Sequence, residues 1–368
     1  MNMIFSSPVT TQHNATLMVM AGGTGGHVYP AMAVADYLHA LGWRIVWLCT
    51  ESGMENRLIE GKPYNKAMIT MRGVRGKGLL GWLLLPIRLS EALTQAWRAI
   101  NKHQPNVVLG MGGFAAFPGG VMAWALFKPL VIHEQNSVAG LTNKVLSKFA
   151  KRVLAAFPSA FGAKATLVGN PVRLEMSQLD SPEIRYAART GHLRLLVVGG
   201  SLGAAALNEV LPKALATLPK SVQFEVIHQA GEKHIAALQA NYQAAGVTAD
   251  AKAYIQNMAE MYAWADVVVC RAGALTVAEL ACVGVASVLV PFPHAVDDHQ
   301  TFNAKYLSDN NAALLIQQTE FTVEKASEIL RNLTRKSCLN MAIAAKKLAK
   351  PEATKAVAEI CMELVRKA

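Results

Sequence analysis

Short apolar runs alternate with stretches of helical periodicity along most of the chain. In the first half, LMVMA leads into a helical pattern around Ala31–Ala40, RIVWLC follows, and VVLGM, PLVIHEQ and RVLAAF come later. Strands alternating with helices predict parallel sheets built from βαβ units. After VGNPVR (Val168–Arg173) the stretch LEMSQLDSPEIRYAARTGH is polar and poor in large apolar residues, which predicts a linker over residues 174–192. LRLLVVGGSLGAAALNEVLPKAL then starts a second series of strand, glycine turn and helix. The final stretch, from CLNMAIAAKK onward, is helical in pattern, is interrupted at Pro351 and ends in basic residues suited to a helix C-terminus. The expected architecture is α/β. Two Rossmann-like domains, residues 1–173 and 193–345, face each other across a cleft, and a helical tail over 346–368 packs back on the first.

The two glycine turns carry the first chemical signal. VMAGGTGGHVYPAMAVADYL and LLVVGGSLGAAALNEVLPKAL share a layout of strand, Gly-Gly, Thr or Ser, glycine and helix. Glycines between a strand and a helix bring backbone N–H groups close to a phosphate. From Gly23 the residues run G-T-G-G-H-V, so Val28 stands where a dinucleotide fingerprint has its third glycine. No Gly-Lys-Ser/Thr follows, which excludes a nucleoside-triphosphate P-loop. Because open α/β sheets bind ligands at the carboxyl ends of their strands, two facing domains would place two ligands in one cleft.

Composition narrows the class. The chain has 368 residues, 52% hydrophobic and 17% charged, which excludes a disordered chain and accommodates two domains. Cys49, Cys270, Cys282, Cys338 and Cys361 are odd in number and lack CxxC spacing, which points to reduced thiols and away from a disulfide framework or a zinc site. The N-terminus lacks the pattern of a secretory signal. Val107–Phe127 is uncharged and long enough to span a bilayer, but Gly110, Gly112, Gly113, Pro118, Gly119 and Gly120 punctuate it as strand, loop and helix. The net charge of +11 is uneven: residues 1–170 carry 16 Lys/Arg against 6 Asp/Glu, and residues 171–368 carry 20 against 19. The first half is therefore expected to face a polyanion.

Four stretches hold candidate chemistry. In DVVVCRAGALTVAELACVG a buried strand meets the turn RAGALT and a helix, TVAELACVG, that starts at Thr276 and closes at Gly284. The amides of Ala274, Leu275 and Thr276 are expected at the helix N-terminus, where free N–H groups and the dipole favour a phosphate. Thr276 and Glu279 form T-x-x-E, which reads either as a capping box or as a glutamate placed for ribose hydroxyls. PHAVDDHQ gathers His294, Asp297, Asp298, His299 and Gln300 with no defined metal spacing, so hydrogen bonding by His299 and Gln300 is preferred to a metal site. HEQN lacks the second histidine of a zinc HExxH because position 137 is Ser. His27, closing the first glycine loop, is either structural or a proton acceptor. Finally, Leu79, Leu80, Trp82, Leu83, Leu84 and Leu85 are flanked by Arg72, Arg75, Lys77 and Arg88. That arrangement fits an interfacial membrane patch or a buried helix with a basic loop, and no nucleic-acid-binding motif is present.

AGGTGGHVYPAMAVA, VVLGMGGFAAFPGG, HEQNSVAGLTNK, VGNPVR, VVGGSLGAAALNE, YAWADVVVCRAGALTVAELA and PFPHAVDDHQTFNA, in that order, resemble the bacterial peptidoglycan N-acetylglucosaminyltransferases, from about residue 17 past residue 304. The resemblance implies a two-domain GT-B enzyme that needs no cofactor. It would move N-acetylglucosamine from UDP-N-acetylglucosamine to the C4 hydroxyl of a muramoyl-pentapeptide on undecaprenyl diphosphate, working peripherally at the cytoplasmic face of the inner membrane in peptidoglycan synthesis. It further implies that Thr24, Gly25, Gly26 and Asn136 line the donor-sugar side. Arg173 and Ser201 would face the nucleotide diphosphate, together with the run Ala274, Leu275, Thr276, Val277 and Ala278. Ile255 would meet uracil through its backbone, Glu279 the ribose and Gln300 the sugar hydroxyls. His27 would be the base or an acceptor-diphosphate contact. The second glycine turn departs from the common pattern, with Leu202 where many relatives have Gln. The competing classes are a nucleotide-dependent oxidoreductase, with Glu51 near the position of a ribose-binding acid, and a non-catalytic sugar-nucleotide binding protein.

Overall fold

The computed structural model describes residues 14–51, 53–71, 85–200 and 203–366. The membrane-patch residues Arg72, Arg75, Lys77, Leu79, Leu80, Trp82, Leu83 and Leu84 therefore lie outside the described residues, as do Ser201 and Leu202.

Two all-parallel sheets organise the chain. The first has seven strands, β1 (Thr16–Ala21), β2 (Arg44–Thr50), β3 (Asn65–Ile69), β4 (Val107–Gly112), β5 (Leu130–Glu134), β6 (Arg152–Ala155) and β7 (Thr166–Leu167), in the order β3-β2-β1-β4-β5-β6-β7. The second has six, β8 (Leu193–Val198), β9 (Phe224–Gln229), β10 (Asp250–Lys252), β11 (Val267–Cys270), β12 (Ala286–Leu289) and β13 (Leu314–Leu315), in the order β10-β9-β8-β11-β12-β13. Both orders reverse direction once, between β1 and β4 (Val107–Gly112) and between β8 and β11 (Val267–Cys270). Each reversal opens a crevice at the strands' carboxyl ends, which is where such sheets take ligands. The central strands are apolar on both faces because helices cover both: TLMVMA in β1 and VVVC in β11 are buried throughout.

The helices differ from the sequence expectation in three places. The first begins at Gly25 and runs to Ala40, so His27 sits in its opening turn instead of closing a loop. The predicted linker over 174–192 holds two short helices, Leu174–Ser177 and Pro182–Ala187, that pack into the second domain. Arg185 donates there to the carbonyls of Tyr262 and Val283, and Arg189 pairs with the buried Asp266 at 2.6 Å. Polar composition does not announce these helices because these charges are spent on buried carbonyls and a carboxylate. The helix expected from Thr276 begins at Ala274 and ends at Val283, with Gly284 left-handed at φ 69°.

The last helix, Ala353–Arg366, returns to the first domain. Its Val357, Ala358, Cys361 and Leu364 join Leu17, Val19, Val34 and Leu38 in one core cluster. The chain thus crosses between domains twice, at 168–173 and near 348–353. All five cysteines are free and buried. Among the described residues, no helix is long and apolar enough to cross a membrane.

Candidate active site

Helix Gly25–Ala40 is the N-terminal domain's contribution to the cleft. Thr24 occupies its N-cap with an extended backbone and makes no side-chain cap, leaving the Gly25 and Gly26 amides at the first two helical positions. His27 Nδ1 lies 3.1 Å from the Gly22 carbonyl and 3.3 Å from Thr24 Oγ1. A carbonyl only accepts, so Nδ1 carries the proton, and the neutral ring keeps its Nε2 lone pair. Burial pulls the His27 pKa below the usual 6.5, opposed by the nearby Glu134 carboxylate and the Gly22 bond.

A second glycine run walls the same pocket. Gly112 and Gly113 adopt φ of 97° and 89° at the end of β4. A Cβ on Gly112 would stand 3.1 Å from His27 Nε2, and one on Gly113 would stand 2.3 Å from the Gly22 carbonyl oxygen. Glycine is required here by both the left-handed backbone and the close approach.

Glu134, at the end of β5 (Leu130–Glu134), has no role that its sequence neighbourhood HEQN announces. It is 2% exposed and accepts from Asn136 N at 3.0 Å, Gly140 N at 3.1 Å and Asn143 Nδ2 at 2.9 Å. This carboxylate holds the loop that carries Asn136. The neighbouring His133 is also buried: its Nε2 meets the Gly169 carbonyl at 2.9 Å, and burial drives its pKa down to about 4. It ties β5 to the first crossing between domains.

On the opposite side, helix Ala274–Val283 presents its N-terminus. Gly273 is the N-cap, with no side-chain cap, and Val277 N donates to Gly273 O at 2.9 Å. Ala274, Leu275 and Thr276 therefore occupy the first turn, whose amides have no partner within the helix. Val277 does not extend that run, because its amide is paired and its side chain lies in the core, against which Ala278 also packs. Thr276 is the third helical residue, so the capping-box reading of T-x-x-E does not hold.

Glu279 is buried and already engaged. Its Oε1 pairs with Arg173 Nη2 at 3.2 Å, and Tyr262 OH donates to Oε2 at 3.4 Å. Burial pushes its pKa up, while Arg173 and Tyr262 pull the other way. Two residues expected to touch the nucleotide separately thus form a pair within the chain, 106 positions apart, with Tyr262 as an unforeseen third member.

Gln300 Oε1 accepts from Ala272 N at 3.2 Å and Phe292 N at 2.9 Å, which turns its Nε2 outward as a donor. His299 Nδ1 lies 2.7 Å from the Val296 carbonyl, and the loop before it contains two consecutive left-handed residues, Asp297 and Asp298. Ile255 is buried, and its backbone N–H and C=O have no partner among the described residues. The fold brings Tyr29 of the first domain beside Tyr254 and Arg173.

Two Rossmann-like sheets facing across a cleft, with an unpaired helix N-terminus on one side and a neutral histidine on the other, define a GT-B glycosyltransferase. The chain belongs to glycosyltransferase family 28: residues 17–155 match its N-terminal domain and residues 194–359 its C-terminal domain. It is 56% identical over 352 residues to the UDP-N-acetylglucosamine–N-acetylmuramyl-(pentapeptide) pyrophosphoryl-undecaprenol N-acetylglucosamine transferase of Cupriavidus metallidurans, covering 96% of this chain and 99% of the relative. The enzyme of the same name from Nitrosospira multiformis is 54% identical, covering 95% and 99%. Among solved structures, Acinetobacter baumannii MurG superposes with a TM-score of 0.84 at 41% identity, covering 95% of this chain and 99% of that one. A glycosyltransferase of kitacinnamycin, at TM-score 0.69 and 15% identity, shares the fold alone.

Proposed function

We propose that this protein transfers N-acetylglucosamine from UDP-N-acetylglucosamine to the C4 hydroxyl of undecaprenyl-diphospho-N-acetylmuramoyl-pentapeptide, with inversion. The observation that carries the reading is the pairing, across one cleft, of a free helix N-terminus at Ala274–Thr276 with the neutral His27 imidazole. The names of relatives more than half identical over nearly the whole chain supply the substrates. Oxidoreductase and non-catalytic readings have no comparable support.

In this mechanism UDP-N-acetylglucosamine lies along the second domain. Its base rests at the Ile255 backbone, its ribose at Glu279 and its diphosphate at the amides of Ala274, Leu275 and Thr276. His27 Nε2 takes the proton from the acceptor's C4 hydroxyl as that oxygen attacks C1 of the sugar. The bond from C1 to the β-phosphate oxygen breaks, and UDP departs with the electron pair. The negative charge gathering on the diphosphate is stabilised by helix amides already oriented before the reaction, so little reorganisation is needed. Gln300 Nε2 and Asn136 orient the sugar. The Gly25 and Gly26 amides open onto the cleft beside the donor sugar, where they also suit the acceptor's diphosphate.

The test is transfer of radiolabelled N-acetylglucosamine from UDP to a soluble lipid-linked muramoyl-pentapeptide analogue. Labelled disaccharide product is expected. Folded, UDP-binding protein that makes none would overturn the reading.

An anionic membrane surface is the proposed setting. On the first domain Ile87, Trp124, Phe127 and Phe149 are 66%, 51%, 94% and 39% exposed, and Trp124 and Phe149 rings sit 4.8 Å apart. Helix Leu85–His103, which begins at Leu85 and carries Arg88, packs beside helix Ala116–Ala125, and Lys144, Lys148 and Lys151 are exposed nearby in sequence. Exposed aromatics among cations suit the headgroup layer. Trp124→Ala is expected to weaken binding to phosphatidylglycerol vesicles about tenfold in a sedimentation assay, by the loss of one large apolar side chain. Wild-type binding should itself weaken as salt rises. Binding that ignores both the substitution and salt would place the membrane surface elsewhere.

A further inference from the structure

The geometry assigns Asn303 a positioning role: its carboxamide latches the two domains together and sets which atom Asn136 offers the donor sugar. Asn303 lies one turn beyond Gln300 on helix His299–Ser308 and is 0% exposed. Its Oδ1 accepts from Ser137 N at 2.8 Å. Its Nδ2 donates to Asn136 Oδ1 at 3.3 Å and to Ala272 O at 3.2 Å. The first two partners belong to the loop after β5, in the other domain; the third immediately precedes Gly273, the N-cap of the diphosphate-facing helix. One side chain therefore ties the sugar-side loop of the first domain to the phosphate-side turn of the second.

The residue type follows from this arrangement. The site needs one acceptor and two donors on a short stem, which only asparagine supplies. An aspartate would set a carboxylate against the Ala272 and Asn136 oxygens, and a leucine would leave the buried Ser137 N–H unpaired. The consequence reaches the ligand through Asn136. Its Oδ1 is taken by Asn303, and one hydrogen of its Nδ2 points to Glu134 Oε1 at 3.3 Å. What remains is one N–H and the second lone pair of an oxygen already turned towards Asn303, so the free N–H is the atom held ready for an oxygen of the sugar or its acetamido group. Opening the cleft breaks the bonds to Ser137 and Asn136 and keeps the one to Ala272. Donor sugar and closure thereby favour one another, because the latch adds a second hold on an Asn136 side chain otherwise fixed only by Glu134.

This role rests on the transferase reading, and the experiment separates the two. Asn303→Ala, Asn136→Ala and the double variant are assayed for transfer to the soluble lipid-linked acceptor, and their affinities for UDP and UDP-N-acetylglucosamine are measured by calorimetry without acceptor. Asn303→Ala should lower kcat/KM for the donor about 10- to 100-fold, chiefly through KM. Its affinity for UDP alone should stay within about twofold of wild type, because Gln300 still holds the Ala272 N–H. In the double variant the two losses should fall well short of multiplying. Multiplying losses, or an equal loss of UDP affinity, would overturn the latch. Absence of transfer by the wild type would count against the transferase reading, while the comparison of UDP with UDP-N-acetylglucosamine still judges Asn303. Hydrogen exchange on the wild type keeps the idea testable if Asn303→Ala does not fold: with donor bound, the Ser137 amide should be strongly protected. Exchange there as fast as in an exposed loop would refute the latch.

Discussion

His27→Ala is expected to lose about 10²- to 10⁴-fold in kcat, the usual contribution of a positioned proton acceptor, while UDP affinity stays near that of the wild type. The separation follows from place: His27 opens a helix of the first domain, whereas the proposed nucleotide contacts lie on the second. The pH profile gives a second readout. Burial, the largest influence on His27, moves its pKa below 6.5, and Glu134 and the Gly22 carbonyl counter it only in part. A base works deprotonated, so activity should hold at neutral pH and fall as pH drops through a value below 6.5. That acid limb should vanish from the residual rate of His27→Ala. Steady-state kinetics across pH 5 to 8 would check both points. A mutant of near wild-type kcat, or one that keeps the limb, would remove His27 from proton transfer and leave the family assignment intact.

Glu279→Ala should raise KM for UDP-N-acetylglucosamine about 10²-fold, with a smaller change in kcat. A carboxylate offers about four lone-pair sites. Arg173 and Tyr262 occupy two of them, leaving two for the ribose hydroxyls. Hydrogen bonds to a charged group contribute roughly 1.5–3 kcal/mol each, so losing the set accounts for a shift of that size. Glu279→Gln should fall between wild type and alanine, because it keeps the shape and an acceptor oxygen but weakens the bond to Arg173. Arg173→Ala should act in the same direction, leaving Glu279 buried without its cation. Calorimetry with UDP and with 2′,3′-dideoxy-UDP would locate the effect: wild type should favour the ribose hydroxyls, and Glu279→Ala should scarcely distinguish the two ligands. A Glu279→Ala that still discriminates would place the ribose elsewhere.

Particular elements show how far the residues alone could carry the reading. β1, β4, β8 and β11 fall where apolar runs placed them, since burial on both sheet faces leaves a continuous apolar signature. The helix N-terminus at Ala274–Thr276 was legible from RAGALT because the glycine that frees it is local. The Thr276–Glu279 pair shows the opposite case. Its spacing allowed a cap, and only the helix starting at Ala274 moved Thr276 to the third position, where no cap forms. The two short helices within the expected linker over 174–192 carry no apolar signature for a related reason, as its arginines answer carbonyls some 75–100 residues away.

By itself the sequence determined the two parallel sheets, the turns that bare backbone amides, and the family through its ordered motifs. These depend on local periodicity and on backbone conformations that glycine permits, so neighbouring residues suffice to declare them. Tertiary structure alone decided that Arg173 answers Glu279 across 106 positions and that Asn303 meets Ser137 across 166. Such choices are set by hydrogen-bond distances between distant segments. No pattern along the chain encodes those distances until both sheets have formed and the domains have met.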